Sequence, residues 1–241
     1  MLRPDFAHVP MHCRRHLKQP AEHLHGHPEY SPAQRRKDEK FSPLSLFGIL
    51  IAYGAQGGNM KLLLLLANGF EEIEALGTLD LLRRGQVEVT TCTLNQTPLT
   101  LGAHGIAVEA ELCLTELDSA LYDGIILPGG LGGSQALAAT QGVLELLKDY
   151  HSQGKLICAI CAAPALVLTA AGILEGHRAT CYPAPEFIEL LGEGYQRVRA
   201  LRDGSLITAA GPGCFADFAR LILEAVAPGT AKGVFEAALM D

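Results

Sequence analysis

The chain has 241 residues, 49% of them apolar, and a formal charge of −7, which is material for one large domain or two small ones. Residues 1–59 carry eight Lys/Arg against five Asp/Glu, whereas residues 60–241 carry eleven against twenty-one. So acidic a body argues against nucleic acid or an anionic membrane as partner. Seven cysteines at irregular spacing do not resemble a secreted disulfide framework, so a reducing cytoplasm is the expected location.

Residues 1–59 hold six of the nine histidines, scattered prolines and the charge run 35–40, with no sustained period. They are expected to be disordered, with the histidines at 23, 25 and 27 binding metal weakly at most. The apolar stretch 44–53 is about half the ~20 residues that a membrane span requires. More than forty residues before it make a poor signal-peptide start. The run 56–60 can be encoded with a purine-rich ribosome-binding sequence before the Met60 codon. That points to translation from Met60 and a mis-assigned N-terminal extension.

From residue 60 the pattern changes. The leucine run 61–67 predicts a strand buried on both faces. After Asn68-Gly69, helical spacing of apolar residues predicts a helix over 71–84, ended by Gly85. Strands are predicted at 87–94 and 122–127, with one or two short ones within 97–111. A helix at 140–153, a strand at 155–160 and a helix at 162–171 follow. Strands near 178–182, 197–201 and 205–209 and a helix at 215–226 complete the pattern. Strands alternating with helices imply a mostly parallel sheet covered on both faces, in one domain over 60–241.

Ligands in such sheets bind at the carboxyl ends of strands, where four segments fall: Glu71–Glu74, Gly129-Gly130, Cys161 and Gly211-Pro212-Gly213. Cys161 lies at a strand-to-helix turn, with Pro164 just inside the helix. Backbone N–H groups and the helix dipole favour a thiolate there; a buried structural cysteine is the plainer alternative. The acids Glu71, Glu72 and Glu74 either decorate the helix start or put one carboxyl into the crevice. Glu71 and Glu74, three apart, share a face. Desolvated, such a carboxyl stays protonated and serves as general acid/base beside a thiolate. Glu72, on another side, is expected to tolerate Gln. Gly129-Gly130 reads as a turn or as a bare N–H offered to an oxyanion.

Four motifs in order, Ala67–Glu74, Tyr122–Gly130, Ala159–Pro164 and Gly211–Gly213, resemble the ThiJ/PfpI superfamily (also called DJ-one/PfpI), close to its bacterial YajL-like branch. The resemblance covers residues 60–241 and none of 1–59. It implies a flavodoxin-like three-layer α/β sandwich with a cysteine nucleophile elbow, forming a homodimer. It makes Cys161 the nucleophile, Glu74 the protonated carboxyl on its sulfur, Glu71 a second acid, and the N–H groups of Gly130 and Ala162 the oxyanion pocket. Gly129, Tyr182, His104 and Pro212 are supporting positions.

Departures from the pattern narrow the chemistry. Tyr182 stands where many relatives have histidine, and a phenol is a poor base at neutral pH. Ala162 follows the nucleophile where peptidase-like members have histidine, which removes the Cys-His peptidase reading. His104 stands where an arginine is common and partly replaces it. His151 and His177 read as surface residues. Cys158 and Cys161 form a C-x-x-C, but Cys158 lies inside a buried strand, and a zinc site lacks its second ligand pair. The expected function is a cofactor- and metal-free enzyme of the glyoxalase III or protein-deglycase type. Its expected substrate is methylglyoxal or an early adduct of it on an amine or thiol. The alternative is a redox sensor or holdase chaperone that uses an oxidisable Cys161.

Overall fold

Along β1 (Lys61–Leu66) side chains alternate between two cores: Leu62, Leu64 and Leu66 enter one, Leu63 and Leu65 the other, all fully buried. The computed structural model describes residues 60–240. The expectations for 1–59, whether disorder, weak metal binding or a start at Met60, lie outside the described residues.

Strand β1 is followed by α1, a π-helical turn (Ile73–Gly77) that passes into α-helix (Thr78–Arg84), and then by β2 (Glu88–Thr93). A separate hairpin, β3 (Leu99–Leu101) and β4 (Ala107–Glu109), precedes a two-residue β5 (Leu112–Cys113). Then come β6 (Gly124–Leu127), α2 (Leu131–Ala139), α3 (Gln141–Ser152), β7 (Leu156–Ile160) and α4, wound as a π-helix over Pro164–Leu168. The chain continues through α5 (Pro185–Leu191), β8 (Ala200–Asp203), β9 (Leu206–Ala209), α6 (Phe215–Val226) and α7 (Ala231–Ala237).

The seven-stranded sheet has the order β5-β2-β1-β6-β7-β9-β8, parallel except for the β8–β9 pair. Helices α1, α6 and α7 cover one face, and α2, α3 and α4 the other. This is the expected flavodoxin-like three-layer sandwich. From β1 the chain first moves outward to β2 and β5, then returns to β6 on the opposite side. The loops that leave β1 and β6 therefore diverge and open a crevice at their carboxyl ends.

The stretch 178–182 forms no strand, only an isolated bridge between Ala179 and Tyr195. Among the described residues no helix is long and apolar enough to cross a membrane.

Candidate active site

Cys161 directly follows β7 with φ of +65°, a left-handed conformation that costs a non-glycine residue about 1–3 kcal/mol and persists only when its surroundings enforce it. Here two backbone hydrogen bonds do so. Cys161 N–H donates to the Ala209 carbonyl at 2.9 Å, and its own carbonyl accepts from Tyr182 N–H at 2.8 Å. The turn lifts the thiol out of the sheet. Of the six described cysteines, all free, five are buried and Cys161 alone is partly exposed.

Glu74 arrives from the π-helical turn of α1 and is 1% exposed. Its Oε2 accepts from Gly129 N–H at 2.8 Å, and its carboxyl shares a hydrogen bond with the Cys161 thiol. Oε1 is buried with no hydrogen-bond partner. Gly129 has no room for a side chain, since a Cβ would stand 2.5 Å from both Cys161 Cβ and Glu74 Oε2. Gly130 has φ of +84°, and a Cβ there would run into the Gly69 carbonyl. The N–H groups of Gly130 and Ala162 both point to the Cys161 sulfur.

Burial is the largest influence on both acids of this pair. It pushes the Cys161 thiol well above its usual range, and the charge of Glu74 and their shared hydrogen bond add to the shift. The amides of Gly130 and Ala162 pull the other way. The amide and dipole argument from sequence thus named the smaller force; desolvation overrides it. Burial also pushes Glu74 up to about 7, against the hydrogen bonds from Cys161 and Gly129 and with help from the charge of Glu71. Two acids so placed titrate as a unit. Near neutrality the pair gives up its first proton, leaving one proton between sulfur and carboxyl.

Glu72, expected to lie on another side of the helix and to tolerate Gln, is buried and ion-paired with His104. It is 6% exposed, and its carboxylate accepts from His104 N–H at 2.6 Å and lies 2.7 Å from His104 Nδ1. Burial alone would push Glu72 up. The His104 side chain and the backbone N–H groups of Glu72, His104 and Ile106 outweigh it and hold the carboxyl at about 2. Glu71 Oε1 lies 3.7 Å from the same His104 nitrogen.

His104 itself is mostly exposed, and its Nδ1 is committed to Glu72. Glu71, Glu72 and His104 form the one cluster among the described residues with the donor set of a cation site. Its closest pair, at 2.7 Å, has hydrogen-bond geometry. Tyr182 is half-exposed and lies against Gly211, and Pro212 opens a short 3₁₀ turn after β9. His151 and His177 pack edge to face, 5.5 Å apart, at the other end of the sheet.

An open α/β sandwich with a strained cysteine at the switch-point crevice, faced by a buried carboxyl and two backbone amides, defines the class of protein. Residues 60–225 match the sequence profile of the DJ-1/PfpI family, and the chain belongs to that family. Drosophila melanogaster protein dj-1beta is 37% identical over 170 residues, 68% of this chain and 88% of its own. The crystal structure of Drosophila DJ-1beta aligns with a TM-score of 0.71 at 34% identity, over 76% of this chain and 99% of that one. Oxidized Toxoplasma gondii DJ-1 aligns at 0.71 and 31% identity, over 75% and 98%. Arabidopsis thaliana protein DJ-1 homolog B is 36% identical over 167 residues, 69% of this chain but only 38% of its own length; the chain spans about two fifths of that relative.

Proposed function

We propose that the chain is a cysteine-dependent enzyme acting on reactive carbonyls of the 2-oxoaldehyde type, methylglyoxal or its early adducts, in carbonyl and oxidative stress protection. The observation that carries this reading is the buried Glu74–Cys161 pair with two backbone amides on the sulfur. Cys161 passes its proton to the Glu74 carboxylate as its sulfur adds to the aldehyde carbon. The oxygen that gains charge is held by Gly130 and Ala162 N–H and takes the proton of Glu74. The Glu74 carboxylate then removes the proton from the former aldehyde carbon and returns it at the neighbouring carbon. The adduct becomes a thioester by internal redox, and water releases lactate and the thiol.

Purified protein should convert methylglyoxal to lactate, and Cys161→Ser should abolish the conversion. Equal rates in both proteins would overturn the reading. We further infer a YajL-like bacterial branch from the motif set, a cytoplasmic location and a homodimer. The homodimer is supported by the exposed apolar residues Ile73, Leu99, Leu101 and Ile106 near the crevice.

A second reading, a redox sensor or holdase, is favoured by the exposure of Cys161 alone among the described cysteines and by a similar protein captured in an oxidized form. Peroxide titration separates the two. A selective gain of about 32 Da on Cys161, a sulfinic acid, without carbonyl turnover supports sensing. Oxidation spread over all cysteines sinks it.

A further inference from the structure

Among the described residues, the acids that line the crevice mouth pair with one imidazole and with no lysine or arginine. Glu71 is 18% exposed there, Glu72 lies beside it, and Glu74 sits behind. One imidazole serves two of these carboxylates: His104 Nδ1 is 2.7 Å from Glu72 and 3.7 Å from Glu71. Even protonated, it leaves one negative charge; neutral, it leaves two. Arg199, beside Gly213, is spent on Asp217 at 2.7 Å and on the Gly213 carbonyl. The groups that act on Glu74 are Cys161, Gly129 and Glu71, with no lysine or arginine among them. Glu74 Oε1, buried behind them, has no hydrogen-bond partner.

We propose that this site selects by charge, with Glu71 as the residue that sets the preference: it admits neutral carbonyls and adducts carried on cationic amines, and rejects carbonyls bearing a carboxylate or phosphate. The amides of Gly130 and Ala162 serve an oxygen that becomes charged during reaction, whereas a substrate arriving with a full negative charge meets Glu71 first. This inference rests on the carbonyl reading above, but its test does not need turnover.

Cys161 is labelled in the full-length protein with three methanethiosulfonates: methyl (neutral), trimethylammonioethyl (cationic) and sulfonatoethyl (anionic). In each case the thiolate displaces methanesulfinate and forms a mixed disulfide. Peptide mass mapping follows Cys161, with rates divided by those for a free small thiol and by the neutral reagent's rate. At low ionic strength the cation should outpace the anion by about tenfold or more, and salt should shrink the ratio toward one. Glu71→Gln should lower it several-fold, and Glu71→Asp should largely keep it. A ratio near one in the wild type, or one unchanged by Glu71→Gln, overturns the proposal. Charge selectivity without methylglyoxal turnover would sink the enzymatic reading alone; turnover without charge selectivity would sink this one alone.

Discussion

Glu72 and Glu74 stand two residues apart, both buried, and titrate in opposite directions because one carboxylate is fully hydrogen-bonded and the other is not. Glu74→Gln keeps a donor for the sulfur but cannot shuttle a proton, so turnover should fall by roughly 10²–10⁴. Iodoacetamide should still alkylate Cys161, because the neighbouring negative charge has gone; loss of labelling together with turnover would show that Glu74 serves only to hold the thiol. Stability gives an independent check. Glu74 is raised from its ordinary 4.5 to about 7, so between those values the folded state binds more protons than the unfolded one. Its contribution to stability therefore declines as pH rises through that window. Glu74→Gln should gain on the wild type from pH 4.5 to 8 by at most on the order of 3 kcal/mol, read from urea midpoints; parallel curves would refute the raised carboxyl. Glu72 carries the opposite sign. Lowered to about 2, it stabilises above pH 4.5, and this support disappears as pH falls toward 2. Glu72→Gln should thus be clearly destabilised at pH 7 and match the wild type near pH 2.

Why one of these acids was legible in the sequence and the other was not is a matter of elements. Cys161, Glu74, Gly129 and Gly130 lie in segments whose local pattern already puts them at strand ends. The function of Glu72 depends on His104, 32 residues away in the β3–β4 loop, and no local spacing reports that. Assigning faces at 3.6 residues per turn also misjudged α1, whose first turn, Ile73–Gly77, is wound as a π-helix. Helix α2 was missed because its start, Leu131-Gly-Gly-Ser134, reads as loop. In the fold Gly133 must be small, since a Cβ would meet the Phe70 backbone at 2.9 Å. The same close packing makes Gly129 a test of the β6 loop. Gly129→Ala must push Cys161 and Glu74 apart, costing about 1–3 kcal/mol and most of the turnover. Gly142→Ala, on the first turn of α3 with open space around it, is the matched control and should be neutral or slightly stabilising. Similar thermal midpoints and activities for the two variants would remove the steric argument.

At the scale of the molecule, the strand–helix alternation made the parallel sheet and its switch-point crevice readable, because both follow from burial of leucine and isoleucine runs on two faces. The same reasoning leaves one region unexplained by a single chain. In β3, Leu99 and Leu101 are 59% and 50% exposed while Thr100 between them is buried, bonded to Thr93 at 2.7 Å. Polar-in and apolar-out is the reverse of what a hairpin facing water would show. Ile106, beyond the turn, and Ile73, on the helix to which the hairpin is tied through Glu72, are about half exposed as well. Each is already about half buried, so covering the rest contributes about 0.7–1.5 kcal/mol, half the value for full burial, and exposed apolar side chains grouped in this way mark an interface. The full-length protein should therefore sediment as a dimer at micromolar concentration. Leu101→Lys, which puts a charge into that strip without touching the sheet, should shift it to monomer with an unchanged far-ultraviolet circular dichroism spectrum. A wild-type protein that sediments as a monomer, or a Leu101→Lys variant that dimerises as well as the wild type, would show that the strip does not join two copies of the chain.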